Sequence, residues 1–322
     1  MIPRATEYTK RYQIGVVDVS LLTPVRELMR QHASLYRRFE VDGSPGQTDA
    51  AIRVTVRPTR PSAWRRRRFI VSVNDRMQFE PARVDEVLPY IEWAVNWEIP
   101  RVMPQYLQLH ASSLEVDGMG VILPGDSGSG KSTLTAGLLA GGWRYLCDEF
   151  ALIHADTLEL HPYPRAICIK KPSYEAIESV GLKLHGYRHY LKGSKGYVGF
   201  IDPLDVRSDA VGDACPIRYV VFPKYVQGAE PRLTPMSRAD AAFALHRVCF
   251  NLLTCKAIGL DVLAGLVRGA SCYRLTCGDL QETCAVMQDL IAGAPAQLPR
   301  ESSSDQRRAT RNLAQRPLPV GG

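Results

Sequence analysis

The sequence predicts an α/β (α+β) protein with a phosphate-loop core and a smaller N-terminal α+β domain. Three observations support this prediction: a glycine-rich loop between an apolar strand and a helical segment, a strand hairpin directly before that loop, and an acidic pair soon after it. The hairpin makes the strand that enters the loop antiparallel to its predecessor. An ordinary doubly wound nucleotide-binding fold does not begin in this way.

The glycine-rich loop is Gly125–Ser132, which matches the phosphate-loop pattern G-x-x-x-x-G-K-[ST]. Its glycines let the backbone curl around a phosphate, and the following helix contributes the positive end of its dipole. We expect Lys131 to reach the β- and γ-phosphates and the Ser132 hydroxyl to face Mg²⁺. The residues predicted to bind nucleotide are Gly125, Asp126, Ser127, Gly128, Ser129, Gly130, Lys131, Ser132 and Thr133.

The hairpin before the loop is predicted from its turn. Residues 107–116 alternate, Asp117-Gly118 is typical of a tight turn, and residues 119–124 return to the loop. His110 lies near the far end of this strand pair. A catalytic and a purely structural role for His110 both remain open.

Asp148 and Glu149 form the acidic pair. Asp148 lies only 17 positions after Lys131 (148 − 131), which leaves room for one short helix, a glycine turn and one strand over residues 143–149. The twist at a strand end can bring both carboxylates to one phosphate site. One carboxylate can then bind Mg²⁺ while the other accepts the proton of an attacking hydroxyl. The alternative is a solvent-facing acidic pair.

Together these features resemble the HPr kinase/phosphorylase family, whose catalytic core is related to that of phosphoenolpyruvate carboxykinase. The resemblance rests on His110-Ala111, the loop Gly125–Ser132 and Asp148-Glu149, and is greatest for the branch called HPr kinase-related kinase A. It covers about residues 105–250. Further matches are Pro162-Tyr163-Pro164-Arg165 with Lys170-Lys171, and Phe222-Pro223-Lys224-Tyr225.

The resemblance implies a kinase that transfers the γ-phosphate of ATP to a serine of a small protein or peptide. We expect Asp148 to be the general base and Lys131 to stabilise the phosphoryl group, with His110 and Arg165 completing the catalytic set. Ser132 and Glu149 are the expected Mg²⁺ ligands, although the two carboxylate roles can be exchanged.

Two positions depart from the family members that phosphorylate HPr. Thr133 stands where those enzymes carry an acid, and Glu149 replaces an aspartate. These departures argue against HPr itself as the substrate. A small-molecule kinase acting on an amino acid or sugar and a nucleotide-binding regulatory ATPase therefore remain open. A carboxykinase would need a dicarboxylate site with extra metal ligands, for which the sequence shows no candidates.

Composition limits the partners. The chain has 322 residues, of which 45% are hydrophobic, with no run of 18 apolar residues and no apolar segment at its start that resembles a signal peptide. Eight scattered cysteines are typical of reduced thiols, so we predict a cytoplasmic protein without a membrane partner. The net charge of +7 includes the run Arg65–Arg68, which alone does not support nucleic-acid binding. Related enzymes assemble through this core, so the resemblance implies a homo-oligomer.

The predicted domains are residues 1–100, 101–294 and a disordered tail over 295–322. Strands are expected at residues 12–19, 51–56 and 69–73, and helices at 84–97, 238–253 and 280–291. Trp93 and Trp97 are expected to cover a core. The basic group of Arg165, Lys170 and Lys171 is a candidate for neutralising phosphoryl charge, and residues 191–197 for a flexible lid or an ordinary loop.

Overall fold

The computed structural model describes residues 7–42, 49–59, 68–187 and 189–293. The chain divides into the compact units Met1–Val286 and Met287–Gly322, and the last helix spans the division. The strands are β1 (Tyr8–Ile14), β2 (Val17–Thr23), β3 (Ala50–Pro58), β4 (Phe69–Val73), β5 (Arg76–Phe79), β6 (Tyr106–Val116), β7 (Met119–Pro124), β8 (Arg144–Cys147), β9 (Phe150–His154), β10 (Glu159–His161), β11 (Ile167–Lys170), β12 (Tyr190–Leu191), β13 (Tyr197–Ile201), β14 (Cys215–Tyr225), β15 (Arg232–Pro235) and β16 (Ser271–Cys277). The helices are α1 (Arg26–Leu35), α2 (Val84–Val102), α3 (Lys131–Ala140), α4 (Tyr174–Ser179), α5 (Pro203–Val206), α6 (Arg238–Arg247), α7 (Leu252–Gly269) and α8 (Leu280–Ala292). The predicted α/β class is confirmed.

The N-terminal residues form a five-stranded sheet in the order β1-β2-β3-β4-β5. Strands β2 and β3 run parallel, and the other neighbours run antiparallel. The strands predicted at residues 51–56 and 69–73 are confirmed. The single strand predicted over residues 12–19 is wrong, because the chain turns at Gly15-Val16 and these residues contribute to both β1 and β2.

Helix α2 packs on this sheet and continues past the predicted end to Val102. Its predicted apolar face is buried and consists of Val87, Leu88, Ile91 and Val95. The expectation that Trp97 covers a core is wrong, since this residue is 57% exposed. Trp93 instead stacks on Phe79 of β5, with ring centroids 5.2 Å apart.

The central sheet has the order β10-β9-β6-β7-β14-β16-β15, and β8 also pairs with β6. Strands β6 and β7 form the predicted antiparallel hairpin, in which Ala111 lies opposite Pro124 and Val116 opposite Met119. Strands β7, β14 and β16 run parallel, so their carboxyl ends lie along one edge of the sheet. Ligands commonly bind at such an edge, and the glycine-rich loop leaves β7 there.

A third sheet has the order β11-β13-β12 and is antiparallel throughout. Its register pairs Lys170 with Val198 and Leu191 with Tyr197, so β11 and β12 finish where β13 starts. This register gathers four lysines at one end of the sheet, which we call the lysine end: Lys170, Lys171, Lys192 and Lys195.

Buried side chains pack on both sides of the predicted domain boundary near residue 100. One cluster joins the N-terminal sheet, α1 and α2 to Cys147, Phe150 and Phe200. A second cluster packs α6 and α7 on the central sheet, and a third packs α3 against β11 and β13. All eight cysteines are free thiols. The domain boundaries stay predictions.

The helix predicted over residues 238–253 is wrong, because α6 ends at Arg247 and α7 begins after a short connection. The connection hydrogen bonds to β6. The amide of His110 donates to the carbonyl of Val248 (2.7 Å), and the amide of Phe250 donates to the carbonyl of Gln108 (2.9 Å). This pairing uses backbone groups that a continuous helix would need for itself.

The helix predicted over residues 280–291 is confirmed as α8. The predicted disordered tail over 295–322 lies outside the described residues, as do Arg65, Arg66 and Arg67 of the basic run. Within the described residues, no helix is both long and apolar enough to span a membrane.

Gly118 and Gly269 provide a matched test of the β6–β7 turn. Both have open space where a Cβ would go, but only Gly118 has a left-handed φ, of 75°. We expect Gly118→Ala to lower the free energy of unfolding by about 1–2 kcal/mol, because a side chain is strained at that φ. Gly269→Ala should change it by less than about 1 kcal/mol or raise it. Urea denaturation measures both free energies of unfolding. An equal loss of stability in the two variants would contradict a left-handed turn at Gly118.

Candidate functional site

The glycine-rich loop connects the end of β7 to the start of α3. Gly130 lies at φ 97°, a conformation that favours glycine, and its carbonyl accepts the first helical hydrogen bond from Leu134 (3.0 Å). The loop is also tied to β14, because the amide of Tyr225 donates to the carbonyl of Ser129 (3.0 Å). Asp126, Ser127 and Gly128 are exposed at its outer side. The loop therefore has a rigid base and an accessible mouth.

Lys131 lies inside the loop. Its Nζ donates to the carbonyl oxygens of Gly125 (2.5 Å) and Asp126 (3.0 Å), and the residue is only 6% exposed. Burial lowers the pKa of Lys131, and the charges of Asp148 and Glu149 oppose that shift. The ammonium group is thus held at the centre of the curled backbone.

The acidic pair does not lie on a strand. The strand predicted over residues 143–149 ends at Cys147, and Asp148-Glu149 forms a bend before β9. The bend, rather than a strand twist, lets both carboxylates face the same region. The solvent-facing alternative does not hold for Asp148, which is 4% exposed.

Serines from two other elements lie at the Asp148 carboxylate. Ser112 Oγ on β6 donates to Asp148 Oδ1 (2.6 Å), and Ser132 at the start of α3 lies close enough to lower the pKa of this carboxyl group. Burial raises the pKa of Asp148 to about 7, and the charge of Glu149 adds to the rise. The two serines and Lys131 limit it. The result is a buried carboxylate that changes protonation near neutral pH.

Glu149 has a different environment. Its side chain is 39% exposed and pairs with His110, with 3.7 Å between Oε2 and Nε2. Burial alone would raise the pKa of Glu149, but the pairing with His110 and the charges of Lys192 and Lys131 outweigh it and lower the pKa to about 2. Glu149 therefore stays ionised over the physiological range. The structure places Lys131, Asp148, Glu149 and His110 near one another.

Arg165 lies behind the acidic pair rather than at the mouth of the loop. Its guanidinium is buried and forms an ion pair with Glu92 and a hydrogen bond with Asn96, both on α2. The Tyr36 hydroxyl also donates to Glu92 (2.7 Å). The positive charge of Arg165 is therefore balanced by Glu92, and its expected role toward a phosphoryl group stays a prediction.

The lysine end lies beside the loop. Lys170 Nζ donates to the Ser127 hydroxyl (3.1 Å). Lys192 is 9% exposed, and its Nζ contacts the Cys168 thiol (3.6 Å). Lys192 is a site residue that the sequence did not identify. The one signal was the glycine-rich segment around Gly193, which forms the turn of the β12–β13 hairpin.

Thr133, the last of the predicted nucleotide-binding residues, faces a neighbouring element, since its hydroxyl donates to Ser173 Oγ (2.9 Å).

A small pocket lies between the acidic pair and α2, with room for about one water molecule. A larger groove between α6 and α7 is lined by none of the predicted site residues. The pocket is lined by Glu92, Asn96, Tyr145, Cys147, Asp148, Glu149, Arg165, Ala166, Cys168, Lys192 and Phe200.

No family model matches the chain. A curated HPr kinase/phosphorylase from Xanthomonas campestris pv. campestris is 32% identical over 89 residues, which is 27% of this chain and 27% of that protein. One from Xylella fastidiosa is 33% identical over 82 residues, or 24% and 25% of the two chains. The matched segment is HPr kinase-like. This confirms the expected resemblance to that family.

The HPr kinase-like similarity is partial, since the chain spans about a quarter of the length of the curated relatives it matches. A solved structure, the Hpr(Ser) kinase/phosphatase from Coxiella burnetii, aligns with 65% of this chain and 99% of its own. That alignment has 14% identity and a TM-score of 0.30.

Replacement of Asp148 by Asn tests its environment in the absence of nucleotide and divalent cations. Folded wild type keeps the proton on Asp148 up to pH about 7, whereas the unfolded chain releases it near pH 3.8, so this group makes folding less favourable as pH rises between these values. Asn cannot ionise. We expect Asp148→Asn to gain stability relative to wild type from pH 4 to pH 7 and to keep that gain at pH 8. Urea denaturation across this range measures it, and a difference independent of pH would contradict the environment described.

Proposed function

We propose that the chain is a phosphate-loop kinase that transfers the γ-phosphate of ATP to a hydroxyl, that of a serine in a small protein or peptide. The observation that supports this most strongly is the position of Asp148. Its carboxylate accepts a hydrogen bond from Ser112, and Ser132 of the phosphate loop lies close enough to lower its pKa, which is about 7. A group that can accept a proton is therefore held directly beside the loop that would hold the phosphates.

The loop offers several groups to the phosphates of ATP. Lys131 Nζ already lies among loop carbonyls and can bond phosphate oxygens from there. The buried Ser129 hydroxyl has no hydrogen-bond partner within the described part of the chain, so it is available as another donor. Lys170 supplies a second positive charge at Ser127. Backbone amides at the start of α3 complete this anion site.

Asp148 is the proposed general base. A base is most effective when its pKa lies near the working pH, because it is then largely ionised yet still takes a proton readily. The Asp148 pKa of about 7 meets this condition. Ser112 holds the carboxylate in one orientation. The proton of the acceptor hydroxyl would pass to Asp148 as the hydroxyl oxygen attacks the γ-phosphorus and the bond to the β-phosphate oxygen breaks.

Ser132 and Glu149 are the proposed Mg²⁺ ligands. Mg²⁺ prefers oxygen ligands, and kinase sites commonly supply one or two carboxylates beside the phosphates. The ionised carboxylate of Glu149 and the Ser132 hydroxyl fit that preference. When bound, Mg²⁺ would neutralise negative charge on the phosphates. Within the described residues no group of three or more His, Cys, Asp or Glu side chains could hold a metal alone, so phosphate oxygens would complete the coordination.

His110 and Arg165 are the remaining proposed catalytic residues. His110 pairs with Glu149 and would hold that carboxylate toward the loop mouth. Arg165 borders the same small pocket as Asp148 and Glu149, but its ion pair with Glu92 fixes it in place. We propose that Arg165 acts by positioning the acidic pair and by adding positive potential behind it.

Two observations support a protein or peptide as the acceptor. The partially similar relatives are named HPr kinase/phosphorylase. In this chain the pocket at the acidic pair holds about one water, so an acceptor hydroxyl must approach from the exposed side of Glu149. Phe250 lies there, 49% exposed, with its ring 5.4 Å from that of His110. An exposed aromatic beside the carboxylates gives a peptide an apolar surface to cover.

Transfer of labelled γ-phosphate in a lysate of the source organism tests the function. We expect wild type to label a polypeptide on serine, as an acid-stable and base-labile phosphoester, and Lys131→Ala to label nothing. Phe243→Ala, a substitution of an exposed aromatic residue on α6, controls for the effect of mutation. Label only in a small molecule other than phosphate would indicate a small-molecule kinase. Label only in free phosphate would indicate a regulatory ATPase.

The two carboxylates should respond differently to Mg²⁺. Asp148→Asn removes the proton acceptor, and we expect the rate to fall by about 10²–10⁴ at every Mg²⁺ concentration. Glu149→Gln removes a metal ligand, so its rate should recover as Mg²⁺ is raised. Initial rates measured against Mg²⁺ distinguish the two. If Mg²⁺ restored the rate of Asp148→Asn but not that of Glu149→Gln, the proposed roles of the two carboxylates would be exchanged.

A further inference from the structure

Tyr225 lies at the end of β14, directly beside the phosphate loop. Strands β7 and β14 are parallel neighbours, so the loop after β7 and the end of β14 share one edge of the sheet. The Tyr225 amide donates to Ser129 of the loop, and a Cβ built on Gly130 would lie 3.4 Å from the Cβ of Tyr225. The side chain therefore starts in contact with the loop.

The backbone that presents Tyr225 is held on two sides. Besides the bond to Ser129, the next amide, of Val226, donates to the carbonyl of Cys277 on β16 (2.9 Å). The Tyr225 side chain itself projects into solvent. Tyr225 is 54% exposed, and no ring contact or side-chain hydrogen bond involves it within residues 7–42, 49–59, 68–187 and 189–293. A large aromatic surface is thus fixed in position and left accessible.

The neighbouring surface suits a nucleoside. Val226 is 41% exposed and extends the apolar surface, while Lys224 is exposed beside it. The lysine end and Lys131 are cationic, which suits phosphates, whereas the Tyr225 side of the loop offers a ring. Aromatic side chains stack on the faces of nucleobases. A nucleotide with its phosphates in the loop can therefore extend its base toward Tyr225.

We propose that Tyr225 is the platform on which the base of the bound nucleotide stacks. This inference rests on the proposed nucleotide-binding function and adds a nucleoside subsite to it. Tyr225 contributes affinity through its ring rather than through its hydroxyl. It contacts the base, not the phosphates.

Calorimetric titration with Mg·ATP and with inorganic tripolyphosphate tests the platform. Tripolyphosphate carries the phosphates without a base. We expect Tyr225→Ala to weaken Mg·ATP binding by about 10- to 100-fold, because stacking on one aromatic ring has an effect of this size. Tripolyphosphate affinity should change by less than about twofold. Tyr225→Phe, which keeps the ring, should bind both ligands like wild type.

Phe243→Ala is the matched control, since Phe243 is also an exposed aromatic (69%) but lies on α6. It should leave both affinities unchanged. If Tyr225→Ala bound Mg·ATP with wild-type affinity, or lost affinity equally for Mg·ATP and tripolyphosphate, the proposed stacking role would be overturned. Binding of tripolyphosphate but not of Mg·ATP by wild type would overturn the platform and leave the phosphate loop standing. Binding of neither ligand by wild type would overturn the proposed function as well.

Discussion

The candidate site depends on one buried carboxylate, that of Asp148, and on the two serines beside it. Asp148 lies in the bend after β8, while Ser112 belongs to β6 and Ser132 to the start of α3. Burying an ionisable carboxylate is unfavourable unless hydrogen bonds and nearby charge compensate. The hydroxyls and Lys131 supply that compensation. The same contacts hold Asp148 beside the loop.

Two kinds of cation surround the acidic pair. Arg165 is buried and balanced by Glu92, and the Tyr36 hydroxyl extends this network toward α1. Removing one partner of such a buried pair leaves an uncompensated charge and typically costs about 3–5 kcal/mol. The network therefore fastens α2 behind the site. Lys131 and Lys170, in contrast, contact the loop itself, where an anionic ligand can share their charge.

The phosphate loop has chemically distinct sides. Lys170 approaches Ser127 from the lysine end, and Tyr225 lies against Ser129 and Gly130 on the side of β14. The proposed ligand, a nucleotide, likewise has a charged end and an aromatic end. The two sides of the loop differ because two different sheets meet there. Phe250, near His110, adds an apolar surface on the side from which the acceptor would approach.

The sequence by itself determined the features whose cause is local. The loop pattern, the Asp117-Gly118 turn and the apolar face of α2 each follow from neighbouring residues, and the structure has all three. The proposals for the acidic pair and for Lys131 rest on the same kind of local pattern.

Only the tertiary structure decided what depends on distant partners. The pairing of Arg165 with Glu92, 73 positions earlier, made this predicted catalytic residue a buried, paired cation. Pairing of residues 248–250 with β6 ended a helix that local periodicity would have continued. Strand register brought Lys192 to the pocket at the acidic pair and Tyr225 to the loop. Such contacts join segments far apart in the chain, and their energies are not expressed in the pattern of either segment alone.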